Sequence, residues 1–122
     1  MPDRDGPYPA AVKEEIAREI AQVHLESYGE PVQNVAVEIG ERFIGLIMDI
    51  VLSPVEQLLV GGGSREKVRV GREAYQEVIE PVFRAIVERA SGRRVDGFAS
   101  RTVIEDEAPS WSTEVFRMAP SA

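Results

Sequence analysis

The chain offers few side chains whose type and spacing could carry a chemical reaction. It has one histidine, His24, and no cysteine among 122 residues. A single histidine cannot form a facial metal site, and the missing thiols exclude thiolate zinc sites, iron–sulfur clusters and thiol nucleophiles. A serine hydrolase needs a histidine beside its serine, and neither Ser53 nor Ser64 has one at a suitable place in the sequence. We therefore expect a protein that is not an enzyme and that needs no cofactor.

Asp49 is the most unusual charged residue, because it interrupts the apolar segment 43–52. A carboxylate buried in such a segment must be paired, hydrogen-bonded or protonated. We interpret Asp49 as a buried charge at a sheet edge or a dimer interface, beside an arginine. A cation or proton site at Asp49 is the alternative. An enzyme that uses Asp49 or Glu80 ranks last, because no nucleophile and base accompany either carboxylate.

The single histidine and one group of arginines each have a structural and a functional interpretation. His24 lies next to the apolar stripe of the first predicted helix, and we expect its imidazole to bond a backbone group. The alternative is a pH sensor, since histidine is the side chain that titrates near neutral pH. Arg93, Arg94 and Arg101 form the only basic concentration. They are candidates for contact with an anion or an acidic partner, although charges at a strand edge also prevent sheet aggregation.

Two polar loops resemble binding loops only superficially. Segment 61–65, Gly-Gly-Gly-Ser-Arg, lacks the lysine and the preceding strand of a phosphate-binding loop. Its Ser64 is better explained as the cap of the next helix. The acidic run 105–107 lacks the spaced carboxylates and turn glycine of a calcium loop. We therefore expect no nucleotide site in the first loop and no metal site in the second.

Length and charge bound the remaining possibilities. A chain of this size forms one ordinary domain, which we place at 9–118, with a disordered tail at 1–8 and a short tail at 119–122. The net charge of −7 makes it an acidic protein that repels phosphate backbones, so nucleic acid is not an expected partner. No stretch has the features of a signal peptide or a membrane span. We expect a cytoplasmic protein without direct membrane insertion.

The periodicity of apolar residues predicts an α+β two-layer sandwich with a mainly antiparallel sheet and the order α-β-β-α-α-β-β. Ser53 and Glu56 form a capping box around Pro54, which marks the change from a buried strand to a helix. Pro81 should kink or break the long third helix. The predicted helices span 9–28, 54–60 and 65–90, and the predicted strands span 35–39, 43–52, 94–104 and 111–118.

The sequence resembles the MpsC-like family over about residues 10 to 118. The resemblance rests on the ordered segments 24–31, 38–59, 72–95 and 114–116, which include the Leu52-Ser53-Pro54-Val55-Glu56 turn. The triple glycine at 61–63 and Trp111 depart from the family pattern. The resemblance implies a small soluble protein that accompanies a membrane system for cation or inorganic-carbon transport. It supplies no catalytic residues.

The second strand is apolar on both faces, and three short helices give it too little cover. Self-association would bury the remainder. We therefore expect a non-enzymatic accessory or regulatory protein that forms a homodimer and has a membrane transport protein as a second partner. The alternative is a small-ligand sensor, with a pocket between the sheet and the kinked helix near Tyr75 and Pro81.

Overall fold

A computed structural model of the chain describes residues 10–120. The predicted tail at 1–8 and the last two residues of the predicted C-terminal tail lie outside the described residues. The described part contains four helices and four strands. In chain order these are α1 (Ala10–Tyr28), β1 (Val32–Ile39), β2 (Phe43–Ile50), α2 (Pro54–Gly61), α3 (Arg65–Val78), α4 (Glu80–Ser91), β3 (Val95–Val103) and β4 (Trp111–Met118).

The four strands form one sheet in the order β1-β2-β4-β3, and every neighbouring pair is antiparallel. Helix α1 packs on β1, and α3 and α4 pack on β3, so the helices cover one face of the sheet. We call this the inner face. The predicted α+β sandwich with an antiparallel sheet is therefore confirmed, and the element order holds with the long helix divided in two.

The core lies between the helices and the inner face. Strands alternate their side chains between two faces, so every second residue of β2 and β4 enters the core. Helices α1 and α4 supply the opposite wall with apolar residues on one stripe. The fully or almost fully buried apolar side chains are Ile16, Ile20, Ile44, Leu46, Met48, Phe83, Val87, Phe116 and Met118.

Helix α2 begins with the predicted capping box. The Glu56 amide donates to the Ser53 hydroxyl at 3.2 Å, and the Ser53 amide donates to the Glu56 carboxylate at 2.9 Å. The prediction for Ser64 is wrong, because its side chain makes no capping hydrogen bond to α3. Its carbonyl accepts the amide of Lys67 at 3.0 Å instead. The glycine-rich loop thus joins α3 without a side-chain cap.

The long helix breaks where Pro81 requires it. Helix α3 ends at Val78, Ile79 is not helical, and Pro81 lies in the first turn of α4. A proline lacks the amide hydrogen that a helix interior needs, but the first turn has no partner for that hydrogen. The break therefore falls two residues before the proline, and the predicted interruption is confirmed.

Candidate functional site

The face of the sheet turned away from the helices, which we call the outer face, is largely apolar. Among the described residues, three of its apolar side chains are strongly exposed: Phe43 at 45%, Ile47 at 46% and Val115 at 40%. The cross-strand register places Gly45 beside Val115, and Thr113 beside Ile47. Strand β2 is therefore apolar on both faces, as its sequence indicates, and only its inner face is covered by the described helices.

Asp49 lies on this outer face. The structure corrects the prediction of a buried charge, because Asp49 is only partly buried. Its carboxylate accepts a hydrogen bond of 2.8 Å from the side-chain amide of Asn34. Asn34 has a positive φ of 52° at a bulge of β1, where few residues other than glycine are comfortable. No arginine of the described residues forms an ion pair with Asp49, and the carboxylate stabilises the bulge.

The predicted arginine group does not form one patch. Arg93 donates to the carbonyls of Glu41 and Ala119 at 2.8 and 2.7 Å, so it ties two chain segments together. Arg94 is exposed before β3, and Arg101 is exposed on the outer face of β3. Seven residues of strand separate Arg94 from Arg101 by roughly 23 Å. Of these three arginines, only Arg101 shares a surface with the outer-face apolar residues.

The two predicted pocket residues line different cavities. Pro81 belongs to a groove of 550 Å³ between α1 and α4, and Tyr75 belongs to a cavity of 250 Å³ between α1, α2 and α3. Both cavities lie between helices, and neither is lined by a strand residue. The single pocket between the sheet and the kinked helix is thus replaced by two separate ones.

A set of polar side chains is buried between the helices and the inner face. Buried polar atoms normally have hydrogen-bond partners, yet several atoms of this set have none from the protein. The side chains of His24, Gln76, Thr102 and Glu114 have no solvent exposure. We call the set the buried polar cluster, and its members are His24, Gln76, Ser100, Thr102, Ser112 and Glu114.

His24 and Glu114 are the titratable pair of the cluster. His24 Nε2 lies 3.4 Å from Glu114 Oε1, and the Ser112 hydroxyl donates to the same oxygen at 3.4 Å. Neither imidazole nitrogen nor Glu114 Oε2 has a hydrogen-bond partner in the protein. The predicted bond between His24 and a backbone group is therefore wrong. Its ring instead stacks on Phe83, at 5.8 Å between centroids.

Gln76 belongs to α3, which packs on β3. Helix α3 begins beside the end of β3, where Arg65 donates to a backbone carbonyl 3.4 Å away. Further along, Glu73 accepts the Thr102 amide at 2.9 Å. The helix therefore runs antiparallel to β3, and Gln76 lies one turn, about 4.5 Å, beyond Glu73. Gln76 therefore lies on the same side of α3 as Glu73, and its side chain is fully buried.

Next to the cluster, Tyr28 and Arg72 connect it with α2. The Arg72 guanidinium binds both oxygens of Glu56 at 2.7 Å and lies 4.1 Å from the centre of the Tyr28 ring. Tyr28 contacts His24, with 5.5 Å between ring centres. Burial raises the pKa of the Tyr28 hydroxyl above its ordinary value, Arg72 partly opposes this, and the charge of Glu114 adds to it. Tyr28 therefore stays neutral beside the cluster.

Comparison with models of known protein families shows which family the chain belongs to. Residues 10–109 match the model of a family described as MpsC, Na⁺-translocating membrane potential-generating system. The chain belongs to the MpsC family. Searches of curated proteins and of solved structures gave no significant match. The predicted resemblance is thus confirmed, and MpsC membership associates the chain with a Na⁺-translocating membrane system.

Two further observations concern the described part of this MpsC family member. Within residues 10–120, no helix has the length and apolar character needed to cross a membrane. The same residues contain no group of three or more histidine, aspartate or glutamate side chains that could hold a metal ion.

Sequence reasoning missed Glu114 and Gln76 of the MpsC family chain. A signal for Glu114 exists, because Ser112, Glu114, Phe116 and Met118 alternate along one predicted strand. Phe116 and Met118 are apolar, which indicates that this series of alternate residues faces the core. Glu114 belongs to the same series, so it must face the core as well. Gln76 gives no such signal, because its burial depends on how α3 crosses β3.

Proposed function

We propose that this MpsC family member is a non-enzymatic accessory protein that works by association. It forms a homodimer through the outer face of its sheet, and in this form it binds a protein of a membrane system for cation or inorganic-carbon transport. The setting would be the cytoplasm. The observation that carries the proposal is the exposed apolar outer face, whose most exposed apolar members are Phe43, Ile47 and Val115.

The size of the outer face suits a second copy of the same chain. Four strands about 4.8 Å apart and about eight residues long cover roughly 500 Å². A face-to-face dimer would bury about twice that area, without counting the extra surface of protruding side chains. This total reaches the ~1,000 Å² expected of a biological interface. An exposed apolar patch of several hundred Å² on a monomer often marks a functional surface.

The charges of the outer face favour one arrangement of the two copies. Strands β1 and β2 carry Glu38 and Asp49, whereas β4 and β3 carry Arg117 and Arg101 on the same face. A two-fold axis parallel to the strands, between β2 and β4, lays β1 of one copy over β3 of the other. The acidic half of each copy then meets the basic half of the second copy, and such complementarity fixes register.

Sedimentation velocity of matched variants tests the homodimer. We expect wild type to sediment as a dimer and Val115→Asp as a monomer, because the new charge lies at the centre of the apolar face. Val78→Asp is the control, since Val78 is 76% exposed on α3 and lies away from the sheet. Far-UV circular dichroism checks that both variants fold. A monomeric wild type at micromolar concentration would refute the proposal.

Charge reversal tests the arrangement of the two copies. Arg101 is the better probe, because Arg117 already binds Asp96 at 2.8 Å. We expect Arg101→Glu to weaken the dimer and the added change Glu38→Arg to restore it. Restoration requires that the two residues approach each other across the interface, so an additive loss would exclude this axis.

Association with the membrane system needs a separate measurement. We expect the tagged protein to co-sediment with membranes from cells that carry the transport system and to leave protein-free lipid vesicles unbound. Binding to vesicles alone would contradict a protein partner. The Val115→Asp variant shows whether the dimer is the form that binds.

A small-ligand sensor is the second candidate function, favoured by the groove between α1 and α4. Its 550 Å³ lie within the usual range for ligand pockets, and Val23, Val82 and Ile86 give it apolar walls. A thermal-shift screen with bicarbonate, sodium, nucleotides and carboxylic acids tests this function. A specific ligand should raise the apparent stability, and Val82→Glu should abolish that shift.

A further inference from the structure

The geometry of the buried polar cluster points to a binding site for one compact monovalent cation, with Glu114 as its charged ligand. The cluster lies on the inner face, away from the outer face and from both helix cavities. The inference therefore does not rest on the proposed homodimer.

Cross-strand register brings the oxygen atoms of the cluster together. Ser100 lies opposite Glu114, and Thr102 lies opposite Ser112, so these four side chains occupy neighbouring inner-face positions of β3 and β4. Such neighbours have Cβ atoms about 5 Å apart. Gln76, the amide of the cluster, is fully buried on α3, the helix that packs on β3. The carboxylate and hydroxyl groups of β3 and β4 thus lie close together on the buried inner face.

The unpaired atoms define the ligand chemistry. Four side-chain oxygens have no hydrogen-bond partner in the protein, and they belong to Gln76, Ser100, Thr102 and Glu114. One is anionic, one is an amide carbonyl and two are hydroxyls. Hard cations select this oxygen set. Among the side chains of the cluster, the imidazole of His24 is the one ligand of the kind that softer metals prefer.

The cluster has one carboxylate, which one positive charge balances. When Glu114 is ionised, its carboxylate has no solvent exposure and needs a counter-charge. Arg72 does not supply it, because Glu56 already holds its guanidinium through two hydrogen bonds of 2.7 Å. His24 Nε2 faces only Oε1, at 3.4 Å, which is longer than a normal hydrogen bond. Oε2 remains for a monovalent ion, whereas a divalent ion would leave an uncompensated positive charge.

Equilibrium unfolding of the full chain in different chloride salts tests the site. Sodium, potassium and ammonium each replace choline at constant ionic strength, and the fluorescence of Trp111 reports unfolding. Above the dissociation constant of the bound ion, each tenfold rise in its concentration should multiply the folding equilibrium constant about tenfold. The order of the three ions identifies the ligand. Equal stability in all four salts would overturn the inference. Water molecules would then be the partners of the unpaired atoms in the cluster.

Matched threonine variants localise the effect. Thr102→Val removes one cluster oxygen and keeps the side-chain shape, so the stabilisation should require a higher cation concentration. Thr113→Val is the control, because Thr113 lies on the outer face and binds the Leu46 carbonyl at 2.7 Å. It should lower stability equally in every salt. If both variants respond to the cation as wild type does, the ion binds elsewhere and the inference fails.

Two further variants distinguish an ion bound in the cluster from an ion bound at the dimer interface. Glu114→Gln should abolish the cation response, and if that variant does not fold, the threonine pair decides. Val115→Asp should keep the response, since it changes the outer face alone. Loss of the response in Val115→Asp would place the ion at the dimer interface and would overturn the assignment to the cluster.

Discussion

Glu56→Gln should destabilise the protein by about 3 kcal/mol through the loss of one buried charge pair. Glu56 has two roles, because it caps α2 and binds Arg72 with both carboxylate oxygens. Glutamine also serves at the third position of a capping box. The substitution therefore keeps the cap and removes the charge, which leaves the Arg72 guanidinium buried with its side chain only 3% exposed.

The size of the destabilisation depends on the interactions that Arg72 keeps when Glu56 is replaced. Removing one partner of a buried ion pair costs about 3–5 kcal/mol. The lower value applies here, because Arg72 still reaches the Val51 carbonyl at 3.3 Å and the face of the Tyr28 ring. Urea denaturation followed by Trp111 fluorescence and circular dichroism measures the difference. Glu66→Gln is the matched control, because Glu66 pairs with Arg69 at the exposed surface and its loss should barely change the midpoint.

The pH dependence of the same pair gives an independent check. Burial by itself would raise the pKa of Glu56, but the hydrogen bonds from Arg72 and the Ser53 amide outweigh it and lower that pKa below its ordinary value of 4.5. A carboxyl with a lowered folded-state pKa stabilises the protein above its unfolded-state pKa. That stabilisation is lost as pH falls through the folded-state value. The difference between wild type and Glu56→Gln should therefore be constant near neutral pH and shrink under acid conditions.

Two outcomes would refute this reasoning about Glu56. A difference below about 1 kcal/mol at neutral pH would equate the pair with a surface salt bridge. A difference that persists unchanged in acid would mean that the carboxylate charge is not its source. In the second case, distorted packing around the new amide would be the remaining cause.

Three smaller effects follow from the backbone and the caps. Gly40→Ala should cost about 1 kcal/mol or more, because an added Cβ would lie 2.3 Å from the ring of Phe43, and thermal denaturation measures the loss. Gly92→Ala should cost about 1 kcal/mol because Gly92 has a positive φ of 70° after α4; an unchanged melting temperature would contradict this. Ser53→Ala should cost about 1 kcal/mol, whereas Ser64→Ala should be neutral in the same assay, because only Ser53 caps a helix.

Local patterns in the sequence predicted most of the fold. The capping box at Ser53, the break near Pro81 and the alternation of β4 each depend on neighbours within a few residues. The start of β1 was missed, because Gln33 and Asn34 are polar and the strand register shifts between Gln33 and Ala36. Asn34 also explains why a carboxylate interrupts the apolar strand β2. Asp49 accepts a hydrogen bond from Asn34, which lies 15 residues away on β1.

The buried polar cluster required information that a single sequence does not contain. His24, Gln76 and Glu114 come from three different elements, and their meeting depends on the crossing of α1 and α3 over the sheet. Each residue alone looks like an ordinary polar member of an amphipathic segment. Composition also conceals the cluster, because one carboxylate among 21 acidic residues attracts no notice. Only tertiary packing distinguishes the buried Glu114 carboxylate from the carboxylates that are exposed to solvent.

Strand β4 carries both proposed interactions, on opposite faces. Glu114 points into the cluster, and its neighbour Val115 is exposed on the outer face. Adjacent strand residues share a backbone, so cation binding and dimerisation can affect each other only by moving β4 as a whole. Any such coupling must be reciprocal. If the cation strengthens the dimer, the Val115→Asp monomer will bind the cation more weakly by the same factor, whereas independent sites will show equal affinity in both forms.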